Sequence, residues 1–379
     1  MIKNARLFYV TTDYFNSILL VFLPLFLKTF YHYDGNVFGT ILFIAGLFAI
    51  GGIILGYLLV NKLKNEKDAL IIEFLIMSGA ILMLLFFNNI IIVSIAVGLC
   101  YLNRMAMYTI GDNMMVEIAN ANNLAFGKFR SFGSIGWGLS FLINGFLVMN
   151  APYLFLIIWY IVCILAIVNL FLLPNIKKVI ALKEKISLKE LLLYPNAIKY
   201  LIIAIIIYVL IYSVPPFLNF RILELKGQVE VYSFITAILV IGEFLMIFFA
   251  NEFRKRTKDK YYIMSIGLCL SLKMLVIFIS NNPIIIYATA ILDPIIFGLI
   301  LPFNPAYLKV STSVRLNGLV LNIFGVMSLL FIALCSKFSS SIMDVINLKF
   351  LFMVYLLMAL LVIVLPLLFK LDNYSQKEF

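Results

Sequence analysis

The sequence predicts an all-α membrane protein with twelve transmembrane helices in two six-helix bundles, and three observations carry that prediction. Of 379 residues, 64% are hydrophobic and only 12% charged, a composition that excludes an ordinary water-soluble globule. Apolar runs of about 20 residues, the length that crosses a hydrocarbon layer of ~30 Å, recur twelve times. A polar interval from Pro174 to Lys199, PNIKKVIALKEKISLKELLLYPNAIK, divides them six and six.

The first six runs fall near residues 7–28, 37–60, 69–87, 90–110, 128–149 and 153–173. The second six fall near 199–220, 229–250, 262–280, 284–306, 313–336 and 349–370. Residues 1–173 are thus expected to form an N-terminal six-helix bundle, 174–198 a cytoplasmic linker and 199–379 a C-terminal six-helix bundle. The first run exceeds a secretory h-region and ends in FLKTFYHYDG, without a small-residue cleavage pattern, so it reads as a retained helix. Cys100, Cys163, Cys269 and Cys335 are widely spaced within the runs and read as packing residues rather than a disulfide framework.

Basic residues set the orientation, because short translocated loops carry few of them. Of the 29 Lys and Arg, 22 fall on or near the side that holds both termini, five on the other, and two, Arg104 and Lys273, deep inside runs. Both termini are therefore expected in the cytoplasm of a cell-membrane protein, and the net charge of +11 reflects topology rather than nucleic-acid binding. The charged loop NKLKNEKD at 61–68 recurs as NEFRKRTKD at 251–259. Such internal symmetry suggests a parallel repeat of six-helix bundles, as in major facilitator transporters, although positive-inside topology alone would also place lysines there.

Ionisable residues inside a membrane are costly unless they face partners or water. Here Asp13, Glu73, Arg104, Asp112 and Arg130 fall in the first half, and Glu243, Lys273 and Asp293 in the second. Glu73 reads as a helix-end residue near Lys67 and is set apart. The spread over both halves points to a polar pathway, and so to a carrier of a small molecule. Arg104, Tyr108 and Asp112 follow i, i+4, i+8 and share one helix face. Arg104 and Asp112 are about 12 Å apart along it, too far to pair. Asp112 and Arg130, on consecutive antiparallel helices, are placed to meet, either as a pair that substrate opens or as a structural ion pair.

The segment FGKFRSFGSIGW at 126–137 sets Arg130 and Trp137 two helical turns apart. An Arg fork grips neighbouring hydroxyls and an indole face packs on the C–H face of a pyranose, so the pair suits a sugar. The acids Asp13, Asp112, Glu243 and Asp293 outnumber the bases Arg104, Arg130 and Lys273 by one, leaving one acid to carry a proton. Asp293, or failing that Glu243, is the expected coupling acid, with Lys273 as the cation that favours its ionised form. A fixed Lys273 ion pair to either acid is the alternative.

With these residues the chain resembles the lactose permease-like oligosaccharide:proton symporters of the major facilitator superfamily. FGKFRSFGSIGW is similar to that family's fifth-helix segment, which implies that Arg130 binds sugar hydroxyls and Trp137 stacks on the sugar ring. Asp112, eighteen residues before Arg130, sits where the family has the Glu that partners this Arg. Gly242-Glu243 resembles the eighth-helix Gly-Glu that links sugar to proton, Lys273 occupies the place of a ninth-helix Arg, and FLPLFLK at 22–28 is similar to the end of the first helix. Asp293 stands in place of a tenth-helix His, and Ile296 in place of the acid that carries the proton.

The resemblance implies proton-coupled import of a sugar or oligosaccharide by alternating access, with a small molecule and a proton as partners. A nucleoside symporter, or a proton-driven exporter of amphipathic small molecules, is the alternative within the superfamily. Substrate contacts are expected from Asp112, Arg130, Trp137, Glu243, Arg104 and Tyr108, and proton coupling from Asp293, Glu243, Lys273 and Asp13. No cofactor or metal site is expected, and a monomer is. The only His, His32, lies in a loop, and the sequence has no His-based catalytic pair, metal-ligand cluster or phosphate-cradling Gly-rich loop, so no enzyme is expected.

Overall fold

The computed structural model of the protein describes residues 2–63, 65–122, 124, 127–174, 188–371 and 373–374. Lys64, Lys377, Phe126 of the fifth-run segment and linker residues 175–187 lie outside the described residues. Six long helices come first: α1 Ile2–Thr29, α2 Gly35–Leu63, α3 Glu66–Phe86, α4 Ile90–Ala121, α5 Phe132–Asn150 and α6 Pro152–Phe171. Six more follow: α7 Pro195–Glu224, α8 Val229–Arg256, α9 Asp259–Ile279, α10 Pro283–Val310, α11 Asn317–Val345 and α12 Leu348–Leu368.

Eleven of these contain a stretch long and apolar enough to cross a membrane. The twelfth, α4, has its apolar part in Ile90–Arg104 and then runs on to Ala121, past the expected end near 110. Asp112, Asn113 and Glu117 dilute its second half without breaking the helix. Along α6, Ile157, Ile161, Leu165 and Val168 are exposed on one side, as lipid-facing residues would be, while Leu156, Trp159, Cys163 and Leu170 are buried. A helix apolar on all sides suits such a double role.

Two compact units result, one formed by Met1–Ala181 with Ser336–Asp344, the other by Leu182–Cys335 with Val345–Phe379. Within the first, α2 packs on α4, α3 on α4 and α6, and α1 on α5 and α6. Within the second, α8 packs on α10, α9 on α12 and α10, and α7 on α12. Four of these pairings, α2 with α4, α3 with α4, α3 with α6 and α1 with α6, recur six helices later, which gives the repeat suggested by the charged loops a counterpart in packing.

Helix starts follow from local chemistry. Asn89, Asn282 and Asn347 lie just before α4, α10 and α12 and accept from the backbone N–H groups of Ile91 (2.9 Å), Ile284 (2.9 Å) and Phe350 (2.7 Å), satisfying donors that a helix end leaves open. Pro152, Pro195 and Pro283 open α6, α7 and α10, where a missing N–H costs nothing. In α1 a π-helical turn spans Ile18–Phe22, just before Pro24. Proline withholds an N–H and crowds the preceding turn, a cause of wider winding there.

Small residues bring α1 onto α5. A Cβ added at Gly136 would sit 2.0 Å from the Val10 carbonyl oxygen, and one at Gly133 would sit 1.6 Å from Asp13 Oδ2. These glycines permit the close approach that membrane helices use. Gly136→Ala is expected to destabilise the protein by about 1–3 kcal/mol, the usual cost of overpacking, read as a lower melting temperature in detergent. An unchanged melting temperature would show that α1 can retreat from α5 without cost.

Candidate functional site

Buried and half-buried polar residues in the first unit form a ladder between α1 and α4. Tyr9, Asp13 and Asn16 lie on α1 at i, i+4 and i+7, one face of a helix. Arg104, Tyr108 and Asp112 lie on α4 in the opposite order. Tyr9 donates to Asp112 Oδ1 at 2.6 Å, Tyr108 donates to Asp13 Oδ1, and Arg104 Nε donates to Asn16 Oδ1 at 2.8 Å. Three rungs therefore join two antiparallel helices, each about one turn from the next. Buried polar groups that are paired in this way avoid most of their desolvation cost.

Arg130 joins the middle rung from the side. It closes a one-turn helix, Gly127–Arg130, just before α5, and its Nη1 donates to Asp13 Oδ2 at 3.0 Å. Its guanidinium lies over the rings of Tyr9 and Tyr108, with the carbon 5.2 and 4.9 Å from their centroids. Planar stacking of this kind is a property of Arg that Lys does not share. The expected partner is corrected here: Arg130 forms its ion pair with Asp13, and Asp112 accepts from Tyr9. The glycines of α5 explain the exchange, because Gly133 leaves room for the Asp13 carboxylate beside Arg130.

The Arg130 side chain keeps 37% of its surface exposed, against 12% for Asp13. One of its five N–H donors is used by Asp13, and part of the guanidinium remains exposed. Trp137 lies on α5, beyond a turn at Ser131, and is partly buried with its ring 5.8 Å from that of Phe141. The same face of α5 carries Ser140 and Asn144, and Asn144 accepts from Tyr14 at 3.2 Å while donating to Ser140 at 2.9 Å.

The second unit gathers a separate set. Lys273 of α9 pairs with Asp293 Oδ1 of α10, and Tyr232 of α8 donates to Asp293 Oδ2 at 3.4 Å. Of the two acids the sequence offered to Lys273, Asp293 is the one it pairs with. Glu243 is partly buried on α8. Its neighbour Gly242 would place a Cβ 3.3 Å from Pro294, and a Cβ at Gly298 would meet Met246 at 2.4 Å. Small residues thus hold α8 and α10 close on either side of Glu243. Further along, Tyr200 of α7 donates to Asn304 Oδ1 of α10 at 3.2 Å, and Asn304 donates to the Tyr208 hydroxyl at 3.4 Å.

Tyr9, Asn16, Tyr232 and Asn304 are polar participants that a search for charges passes over. The i, i+4, i+7 spacing of Tyr9, Asp13 and Asn16 is the signal that would have found two of them. Glu73 is corrected as well. It is fully buried in α3, whereas Lys67 donates to the carbonyls of Leu173 (2.9 Å) and Phe171 (3.4 Å). Among the described residues no three His, Cys, Asp or Glu converge as metal ligands.

Apolar helices in two repeated units, with ion pairs held inside the membrane-spanning segments, define a multi-pass membrane transporter. The chain belongs to the major facilitator superfamily, whose family model matches residues 7–228. Solved structures of similar fold include a variant of the nucleoside transporter NupG, at 14% identity over 97% of this chain and 98% of that one, with a TM-score of 0.83. A D-xylose-proton symporter is similar at 13% identity over 100% and 98%, with a TM-score of 0.77. The human organic anion transporter MFSD10 (TETRAN) is similar at 12% identity over 96% and 98%, with a TM-score of 0.61. No curated protein matches the sequence at a significant level.

Proposed function

We propose that this transporter is a proton-coupled symporter of a sugar or oligosaccharide, working by alternating access of two six-helix bundles, residues 1–173 and 199–379, joined by the linker 174–198. The observation that supports it most is Arg130: a planar fork, flanked by the Tyr9 and Tyr108 rings and tied to Asp13 by one N–H, with much of its surface open. Adjacent hydroxyls of a sugar match such a fork. Trp137 supplies an apolar platform for the C–H face of the ring. Asp112, Tyr108 and Arg104 hold the ladder that sets the Arg130 pocket, and Glu243 contributes to substrate binding from the second bundle. Asp293, backed by Lys273, is the coupling acid, with Glu243 and Asp13 as further carriers of charge in the cycle.

On this reading the protein is a monomer in the cell membrane with both termini in the cytoplasm. A nucleoside is the second reading, favoured by Trp137, since an indole stacks on a nucleobase as well as on a sugar. The deciding measurement is the external pH of lightly buffered, de-energised cells on addition of sugars, glycosides and nucleosides. Alkalinisation with a sugar is expected; alkalinisation with a nucleoside alone would select the second reading. No response to any compound, with the protein confirmed in the membrane, would overturn proton symport of either class.

A further inference from the structure

Glu73 lies well inside α3 with 0% of its surface exposed, and among the described residues neither of its carboxyl oxygens has a hydrogen-bond partner. An ionised carboxylate so placed would lose its hydration with nothing in return, whereas a neutral carboxylic acid tolerates an apolar site far better. Asn103, on the neighbouring helix α4, is in the same condition: it is 0% exposed, and neither its amide nitrogen nor its amide oxygen has a partner. The two residues sit at one depth. Glu73 is thirteen residues before the end of α3 at Phe86, and Asn103 is thirteen residues after the start of α4 at Ile90, about 20 Å from the α3–α4 connection in each case.

Charged and titratable neighbours do not supply a counter-ion. On α4, Cys100 is buried and Arg104 donates to Asn16. On α6, the Cys163 thiol donates to the Phe74 carbonyl at 3.5 Å, and Tyr160 follows Trp159. α2 carries Tyr57 and Lys62 only in its final two turns. On α3 itself, Glu66 and Asp68 lie in the first turn, and Lys67 is directed to the carbonyls at the end of α6. Among the described side chains, Glu73 forms no ion pair.

We propose that Glu73 is a proton-binding site of the first unit, occupied at neutral pH, with the Asn103 amide as the polar group at its depth on the adjoining helix. It is separate from Asp293, which already has a cation beside it, and from the ladder acids Asp13 and Asp112, which accept from tyrosines. The proposal concerns the occupancy of one carboxyl and holds whether or not the cargo is a sugar.

The test is infrared spectroscopy of the full chain in lipid, comparing the wild type with Glu73→Gln. A carboxylic acid C=O band is expected in the wild type at about pH 7, above the ordinary Glu value of ~4.3. It should shift in heavy water and be lost completely in Glu73→Gln. The absence of any such difference between two folded proteins would overturn the proposal. So would a band that disappears on adding sodium chloride, since a metal cation would then own the site. Should Glu73→Gln fail to fold, dicyclohexylcarbodiimide, which adds whole to a buried protonated carboxyl, provides the reading on the wild type. A labelled Glu73 peptide by mass spectrometry supports the proposal, and an unlabelled one overturns it.

Discussion

Replacing Arg130 by Lys should weaken substrate binding by roughly 30- to 1000-fold, the equivalent of about 2–4 kcal/mol. Lysine preserves the charge opposite Asp13, which sits 3.0 Å from Arg130 Nη1, so the ion pair that ties the start of α5 to α1 has a substitute. What lysine lacks is the second edge of the fork and the flat face that lies over Tyr9 and Tyr108. Loss of affinity with retained assembly is therefore the signature of a ligand-gripping group. Binding of the cargo identified by the pH assay, measured in detergent beside the melting temperature, separates the outcomes. Affinity within about threefold of wild type would reduce Arg130 to a structural tie.

Asp293→Asn should abolish uphill accumulation while allowing substrate to equilibrate. One proton moving through a potential of 100 mV supplies about 2.3 kcal/mol, enough for an accumulation ratio of roughly 50. In the variant the ratio should fall to about 1. The substitution also leaves Lys273, 8% exposed in its side chain, without its partner, and an orphaned buried charge destabilises strongly. The double variant Asp293→Asn with Lys273→Met removes that orphan. If either folded variant still concentrates substrate on a proton gradient, Asp293 is not the coupling acid.

The twelve membrane helices were legible because apolar runs of spanning length announce themselves in composition. The far half of α4 was not, since Asp112, Asn113 and Glu117 lower its hydropathy while its backbone stays helical to Ala121. The ladder was half legible: Arg104, Tyr108 and Asp112 showed their shared face, but their partners Tyr9 and Asn16 are uncharged and drew no notice among so many aromatic and polar residues. The pairing of Arg130 depended on how closely α1 approaches α5, a matter decided by Gly133 and Gly136 and invisible to spacing along one helix. Glu73 was misread by counting residues to Lys67. Six residues along a helix amount to about 9 Å and place two side chains on different faces.

The π-helical turn at Ile18–Phe22 gives α1 a phase offset. An extra residue in one turn rotates everything on one side of it by about 100° relative to everything on the other. Tyr9, Asp13 and Asn16 precede the turn, and Leu25, Phe26 and Leu27 follow it, all buried except for slivers of Asp13 and Asn16. A plain α-helix of the same sequence could aim only one of these groups at its present neighbours. Removing a single residue from the turn would straighten the helix and swing its first half away from Asp112, Tyr108 and Arg104, so the segment tolerates substitution of like for like but not a change of length.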